Sequence, residues 1–232
     1  MKGILYGIGV GPGDPELLTL KAVRIIEESA VCAVPGADVE KTAAYRIAVQ
    51  AVPGLREKKL LPVPMPMVMD KREQQRYHEE GAKQIEAYLV RGESVAFLTL
   101  GDPTVYSTFS YIRDLVERDG CETETVAGIT SFCAAAARLN MSLAKWNEPL
   151  HIIPAAHRPD IRLEEPGNYI LMKSGSKLGQ VKELLRKSKR EVAMVENCGM
   201  EQERIYRSLE EIPDDAGYYS LIIVGKRRED DD

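Results

Sequence analysis

The stretch that decides the fold is Gly7-Ile-Gly-Val-Gly-Pro-Gly-Asp-Pro-Glu-Leu-Leu-Thr-Leu-Lys-Ala22. It follows the apolar run Ile4-Leu5-Tyr6, which predicts the end of a short buried strand. Asp14 and Pro15 suit the cap and the first position of a helix, and leucines then recur at helical spacing. A strand, a glycine turn and a helix start bring bare backbone beside a small ligand. A tight turn that binds nothing is the alternative that this stretch alone leaves open.

The glycine spacing excludes the two commonest phosphate-binding turns. A dinucleotide fingerprint requires G-x-G-x-x-G. Counting from any of the first three glycines places Pro12, Asp14 or Glu16 where the third glycine should stand. The acidic residue expected about 20 positions further on is also missing, and no G-K-[ST] follows for a Walker loop. We therefore expect a stiff wall of a small-molecule site.

Composition narrows the class of protein. The 232 residues are 44% hydrophobic and 6% aromatic with a net charge of −5, which is typical of soluble proteins and disfavours nucleic-acid binding. No apolar run approaches the roughly 20 residues of a membrane span, and a strand so near the start leaves no signal peptide. Four widely spaced cysteines without a C-x-x-C pair indicate reduced thiols. We expect a cytoplasmic protein with no metal site, no membrane and no nucleic-acid partner.

The order of predicted elements indicates an α/β fold with two domains. The first half alternates strands with helices, and the apolar run Ser94–Leu100 is typical of a parallel strand buried on both faces. The second half has a mixed pattern. We expect a mostly parallel sheet in residues 1–127 and a mixed sheet in residues 128–232, with ligands at the carboxyl ends of the strands. Further helices are predicted over Tyr106–Arg118 and Ser208–Ile212.

Four segments carry a family resemblance: Gly7–Ala22, Leu100–Pro103, Ala127–Ser131 and Met194–Asn197. In this order and at these distances they resemble the S-adenosylmethionine-dependent tetrapyrrole methyltransferases, which modify porphyrin and corrin precursors. Any one segment is a weak signal, but four in order are a strong one. The resemblance spans essentially the whole chain. It implies two α/β domains, a ligand trough between them, and a homodimer.

A narrower resemblance follows from two stretches, Thr104–Tyr111 and Ser131–Ala137. Uroporphyrinogen III methylases usually continue the aspartate–proline turn with an aromatic residue and a Gly-Arg-Gly-Gly stretch, which this chain lacks. It resembles instead the precorrin-2/cobalt-factor II C20-methyltransferases of vitamin B12 synthesis, and its Tyr-Ser-Thr form looks more like the cobalt-first branch. The implied reaction moves a methyl group from S-adenosylmethionine to the C20 meso carbon of precorrin-2 or cobalt-factor II (cobalt-precorrin-2).

Motif matching carries the cofactor contacts of the family onto this chain. The implied contacts are Pro12, Gly13, Leu100, Gly101, Asp102, Val105, Thr130, Ser131, Met172, Asn197 and Cys198. Among them, Thr130 and Ser131 begin a helix and can offer donors to the cofactor carboxylate. The adenine is expected beside Met172 and the backbone of Asn197 and Cys198.

Asp102 and Tyr106 are the predicted catalytic residues. The meso carbon is already nucleophilic, so the enzyme mainly orients carbon, methyl and sulfur, an effect that can contribute roughly 7–11 kcal/mol. A meso proton must then leave, and the two side chains are candidates to orient the substrate or carry that proton. The alternatives are a helix N-cap for Asp102, which is compatible with catalysis, and an ordinary packed helix residue for Tyr106.

The eight substrate carboxylates call for basic partners at the trough. Candidates, each with a solvated surface charge as its alternative, are Arg138, Lys145, Arg158, Arg162 and Lys173. His151 and His157 are either cobalt ligands or ordinary histidines. His78 is expected to face solvent and Trp146 to pack within the second domain. The loop Pro64–Met69 is either an apolar lid or core filler.

Three other functions stay open at this point. One is a tetrapyrrole methyltransferase with different regiochemistry. Another is a nicotinamide-dependent oxidoreductase, disfavoured by the failed fingerprint. The third is a non-catalytic protein that senses the cofactor or a corrinoid.

Overall fold

The computed structural model describes residues 2–66, 68, 70–155 and 161–227. The chain forms two compact units, Met1–Thr130 and Ser131–Asp232, and each combines a five-stranded sheet with helices. Within the described residues, no helix has the length and apolar character needed to cross a bilayer.

The first unit contains a wholly parallel sheet in the order β3-β2-β4-β1-β5. Its strands are β1 (Ile4–Gly9), β2 (Val31–Pro35), β3 (Lys59–Val63), β4 (Val95–Thr99) and β5 (Glu122–Val126). Its helices are α1 (Leu20–Glu28), α2 (Ala43–Ala51), α3 (Lys71–Leu89) and α4 (Phe109–Arg118). All five residues of β4 are buried, as its unbroken apolar sequence predicts. The predicted parallel sheet is confirmed.

The start of α1 differs from the sequence prediction. Asp14 Oδ1 accepts a hydrogen bond from the Glu16 N–H at 2.9 Å, but the turn it caps is a short 3-10 helix, Pro15–Leu17. The α-helix begins at Leu20, where Thr19 Oγ1 accepts from the Ala22 N–H at 3.1 Å. The extra turn arises because the chain offers two caps in succession, and each begins its own helix.

The second unit contains a mixed sheet in the order β6-β7-β10-β8-β9. Its strands are β6 (Leu150–Pro154), β7 (Asn168–Met172), β8 (Arg190–Glu196), β9 (Arg204–Tyr206) and β10 (Ser220–Arg227). Its helices are α5 (Ser131–Leu139) and α6 (Leu178–Ser188). Since β10 runs antiparallel to both β7 and β8, those two strands end at the same edge of the sheet. The predicted mixed sheet is confirmed.

Two predicted helices differ from the structure. The helix expected from Tyr106 begins only at Phe109, and Tyr106 lies in the preceding turn with a φ of +48°. Residues 208–212 form turns, although Leu209 and Ile212 are buried. The latter segment is too short to be a stable helix without strong packing, and Pro213 disfavours its continuation.

Two aromatic side chains lie where the sequence did not place them. His78 is buried, not solvent-facing, and its ring stacks on Tyr111 with centroids 4.7 Å apart. His78 belongs to the narrow buried face of α3 that also contains Ala82 and Ile85. The many charged residues of that helix make this face difficult to recognise in the sequence. Trp146 is fully exposed, so the prediction that it packs within the second domain is wrong. A turn from Lys145 to Glu148, with Trp146 at a φ of +48°, carries the ring outward.

Candidate functional site

Three turns meet at the carboxyl edge of the first sheet. They follow the neighbouring strands β4, β1 and β5 and comprise residues 100–103, 10–13 and 127–130. The Val10 N–H donates to the Thr99 carbonyl at 2.9 Å. Gly11 and Gly101 exchange two backbone hydrogen bonds of 3.2 and 2.8 Å. The glycine turn is therefore joined to the turn after β4 by main-chain bonds.

Glycine is required where these turns cross. A Cβ on Gly128 would lie 2.2 Å from the Gly101 carbonyl oxygen and 2.8 Å from Gly9 Cα. These are backbone atoms, so they could not move aside cheaply. Gly101 itself has a φ of +73°, and the nearest atom to a Cβ built on it is the Ile129 oxygen at 4.0 Å. The outer side of Gly101 is thus open and allows a ligand to approach the bare backbone.

Asp102 connects two of the turns. It is buried, and its Oδ2 accepts a hydrogen bond from the Gly128 N–H at 2.8 Å. Its Oδ1 accepts from the Thr104 N–H at 2.8 Å and from the Thr104 hydroxyl. Both carboxylate oxygens are therefore engaged, and the side chain caps a turn. It is not the N-cap of α4, because that position belongs to Thr108.

Two hydroxyl oxygens at this edge, Thr99 Oγ1 and Thr130 Oγ1, are buried and find no hydrogen-bond partner within the described part of the chain. Buried donors that find no partner are uncommon and call for a ligand or an ordered water. Thr130 immediately precedes α5, where a helix N-terminus favours an anionic group. Together with the open backbone at Gly101, these groups fit a ligand that carries a carboxylate and an amine, as S-adenosylmethionine does.

The other predicted cofactor residues of the first unit lie in or beside the same three turns. Pro12 and Gly13 are buried in the glycine turn, and Leu100 and Val105 are half-buried. Tyr106 is 48% exposed. The structure therefore brings the predicted first-unit set together, with Tyr106 in the turn that precedes α4.

The predicted residues of the second unit lie at one edge of its sheet. Met172 ends β7, and Asn197 and Cys198 directly follow β8. The Asn197 N–H donates to the Tyr219 carbonyl at 3.1 Å, and Asn197 itself has a φ of +51°. Met172 is half-buried and Cys198 is buried. Ser131, the first residue of α5, is half-buried.

Glu203 holds the turn after β8 in place. Its Oε2 accepts from the Gly199 N–H at 2.7 Å, and its carboxylate receives a bidentate ion pair from Arg138, with Nε at 2.9 Å from Oε1. Burial raises the pKa of Glu203, but the Arg138 and Gly199 hydrogen bonds outweigh it and hold that pKa below its usual range. Arg138, expected to bind substrate, is engaged in this structural pair.

Sequence reasoning missed two aromatic residues beside this turn. Tyr218 and Tyr219 pack edge to face with centroids 5.3 Å apart and remain about half exposed. Burial of part of each ring raises the pKa of both phenols, so both stay neutral near pH 7. Their signal in the sequence is a tyrosine pair that immediately precedes the last strand, and its position beside Asn197 becomes evident only from the sheet order.

The remaining predicted substrate contacts are dispersed. Lys145 and Arg162 are exposed, and Lys173 is half-buried with a φ of +58°. His151 bonds the Pro166 carbonyl at 2.9 Å and stacks on Tyr169. Met65, in the Pro64–Met69 loop, packs against the hydrophobic core of the first unit. His157, Arg158, Met67 and Met69 lie outside the described residues. Among the residues that the structure describes, no group of three or more histidine, cysteine or acidic side chains could hold a metal ion.

The sequence of this chain is similar to those of known methyltransferases. The sequence profile of the tetrapyrrole (corrin/porphyrin) methylases matches residues 4–213. The chain is 34% identical to the "Probable cobalt-precorrin-2 C(20)-methyltransferase" of Methanocaldococcus jannaschii, over 95% of each chain. It is 32% identical to the cobalt-precorrin-2 C(20)-methyltransferase of Salmonella typhimurium, over 99% of each chain.

Solved structures share the fold. A cobalt precorrin-4 methyltransferase superposes with a TM-score of 0.73 at 20% identity, over 96% of this chain and 94% of that one. A uroporphyrin-III C-methyl transferase from Thermus thermophilus, complexed with S-adenyl homocysteine, gives 0.71 at 22% identity, over 97% and 98%. Nothing in these matches supports the oxidoreductase alternative. The profile match over most of its length, with full-length relatives above 30% identity, shows that this chain belongs to the tetrapyrrole (corrin/porphyrin) methylase family.

Proposed function

We propose that this protein transfers a methyl group from S-adenosylmethionine to the C20 meso carbon of cobalt-precorrin-2 or precorrin-2 in cobalamin biosynthesis. The observation that carries the proposal lies at the edge of the first sheet. There Asp102 joins the turn after β4 to the turn after β5, beside the unpartnered hydroxyls of Thr99 and Thr130. Full-length relatives that bear this activity in their names support the choice of substrate.

We place the amino acid part of S-adenosylmethionine against the open backbone of Gly101. The surrounding wall consists of Pro12, Gly13, Leu100 and Val105. Its carboxylate receives donors from Thr130 and Ser131 at the start of α5. The adenine lies beside Met172, with its edge at the Asn197–Cys198 backbone. Residues 1–127 supply the glycine loop and the aspartate–proline turn, and residues 128–232 complete the site.

S-adenosylmethionine supplies an activated methyl group when bound. The C20 carbon attacks this methyl as the sulfur–carbon bond breaks, and a meso proton then leaves. The protein's contribution is orientation, worth roughly 7–11 kcal/mol when reacting atoms are well aligned. Asp102 acts chiefly by positioning, since both of its oxygens are engaged by Thr104 and Gly128. Tyr106, exposed in the next turn, is the candidate to orient the macrocycle or to carry its proton to solvent.

Two broader properties belong to the same proposal. We expect a homodimer in the cytoplasm, because the family resemblance implies a dimer and the four cysteines form no disulfide among the described residues. Size-exclusion chromatography with light scattering tests the dimer, which would have twice the 25.8 kDa mass of one chain. A monomer at micromolar concentration would refute that part without affecting the reaction.

The cobalt status of the substrate decides between the two branches of the pathway. Purified enzyme is incubated with methyl-labelled S-adenosylmethionine and either precorrin-2 or cobalt-precorrin-2, and transfer to the macrocycle is followed. We expect faster transfer to the cobalt-loaded substrate, because the Tyr106-Ser-Thr108 sequence resembles that branch. Transfer to neither substrate, with tight cofactor binding retained, would favour a sensor of the cofactor.

A further inference from the structure

A cavity lies in the second unit, among loops and strand ends of its sheet. Its volume is about 330 Å³, and its walls are Asn147, Glu148, Pro149, Pro166, Gly167, Asn168, Arg190 and Lys226. It is located where β6, β7 and β8 begin and β10 ends. This is the edge of the sheet opposite Met172 and Asn197, so the cavity is separate from the predicted adenine contacts.

The walls of this cavity are fixed by specific bonds. The Asn168 N–H donates to the Pro149 carbonyl at 2.9 Å, and the Asn168 side chain donates to Glu148 Oε2 at 3.2 Å. Gly167 has a φ of +111°, and a Cβ on it would lie 2.3 Å from the Pro149 oxygen. The close approach therefore depends on glycine, and the cavity is built by the fold.

Arg190 is the buried cation of this cavity. Only 8% of the residue is exposed. Its Nη1 donates to the Gly167 and Gly225 carbonyls at 2.8 and 3.0 Å, and its Nη2 donates to the Glu165 carbonyl at 3.1 Å. Its Nε–H is buried and has no hydrogen-bond partner among the residues that the structure describes. An orphaned guanidinium donor beside a cavity calls for an ordered ligand, since leaving it unpaired is costly.

The charge balance of the walls favours an anion. Within the described residues, every hydrogen bond of Arg190 goes to a neutral carbonyl, and no carboxylate pairs with it. Glu148 is neutralised by Lys226, with Oε1 and Nζ 2.8 Å apart. Glu164 and Glu165 are nearby but exposed, where water screens their charge. The cavity therefore retains one unbalanced positive charge, on a side chain that lies out of water.

We propose that this cavity binds a small oxyanion, a carboxylate or a phosphate. The Nε–H of Arg190 can donate to an oxygen of either group, and such charge-assisted hydrogen bonds are among the strongest in proteins. A volume of 330 Å³ would hold about ten waters, which is ample for a small organic anion.

The chain contains a built-in reporter for this site. Its single tryptophan, Trp146, is exposed and directly precedes Asn147 in the cavity wall. Tryptophan fluorescence is measured while sodium phosphate or sodium acetate is added to about 50 mM, with sodium chloride at matched ionic strength as the reference. We expect a saturable change for one of the two anions, with a Kd on the order of 1 mM. The anion that saturates identifies the ligand class.

Variants test whether the cavity is responsible. Lys226→Gln lies at the exposed rim, so the fold should survive. It leaves the Glu148 carboxylate in the cavity wall without its counter-ion, so we expect the Kd for the anion to rise at least about fivefold. Lys187→Gln, an exposed lysine on α6, is the matched control and should bind as the wild type does. Arg190→Lys should abolish saturation if its melting temperature shows that it folds. The proposal is overturned if neither anion saturates, if chloride reproduces the change, or if Lys226→Gln and Lys187→Gln bind alike.

Discussion

Asp102 Oδ2 accepts a hydrogen bond from the Gly128 N–H at 2.8 Å, across 26 residues of chain. The bond fastens the turn after β4 to the turn after β5, on either side of the glycine turn after β1. A carboxylate has acceptors only, and here it meets donors from both turns. Asp102 therefore braces the backbone against which we propose that the cofactor binds.

Replacing Asp102 should weaken both the fold and the cofactor site. In Asp102→Asn the new amide must face either the Gly128 or the Thr104 N–H, so one buried donor loses its acceptor. We expect about 1–3 kcal/mol less free energy of unfolding and a similar or larger loss in Asp102→Ala. Urea denaturation and calorimetric titration of S-adenosylmethionine measure the two effects. If both variants kept the wild-type free energy of unfolding and the wild-type affinity for S-adenosylmethionine, Asp102 would not stabilise these turns.

Gly128→Ala tests the close crossing of the turns. The added Cβ would meet the Gly101 oxygen at 2.2 Å, so the backbone must shift, and we expect a loss of about 1–3 kcal/mol together with most methyl transfer. Gly54→Ala is the matched control. A Cβ at Gly54 would meet no described atom within 4 Å, and the φ of Gly54 lies outside the left-handed range that favours glycine. Its stability should change by no more than about 0.5 kcal/mol. Equal effects at the two positions would contradict the packing argument.

The convergence of the first-unit residues could be predicted from the sequence. Pro12, Gly101 and Thr130 follow strands predicted to be parallel, and the carboxyl ends of such strands meet at one edge of a sheet whatever their distance along the chain. The ion pair between Arg138 and Glu203 could not be predicted, since the two residues lie 65 positions apart and only the folded chain brings them together. The same holds for Tyr219, whose neighbour Asn197 belongs to another strand connection.

Glu203 should matter for cofactor affinity through the turn it secures. Glu203→Ala removes the acceptor of the Gly199 N–H beside Asn197 and Cys198, so we expect the KM for S-adenosylmethionine to rise about tenfold with little change in kcat. Arg138→Ala leaves that bond in place and should raise KM less. Steady-state kinetics of the two variants separates these roles. A larger effect of Arg138→Ala would indicate that its guanidinium also contacts a ligand.

His78 predicts a loss of stability in mild acid. Burial lowers the pKa of its ring below the usual value near 6.5. The unfolded chain therefore takes up a proton first, and the free energy of unfolding should fall as pH drops below about 6.5. His78→Phe keeps a ring against Tyr111 and should lack this component. Denaturation between about pH 8 and pH 5.5 compares the two, with Tyr77→Phe on the same helix as control. If the free energy of unfolding of wild type and His78→Phe changed with pH in parallel, His78 would not be the source of the acid sensitivity.

The position of the transferred methyl tests the proposed function most directly. Enzyme, ¹³C-methyl S-adenosylmethionine and cobalt-precorrin-2 or precorrin-2 are combined, and the product is examined by ¹³C NMR and mass spectrometry. We expect one labelled methyl, bonded to the C20 meso carbon, with a mass gain equal to one ¹³C-methyl group less the hydrogen that it replaces. A label on any other carbon of the macrocycle would assign the chain a different regiochemistry and contradict the proposal.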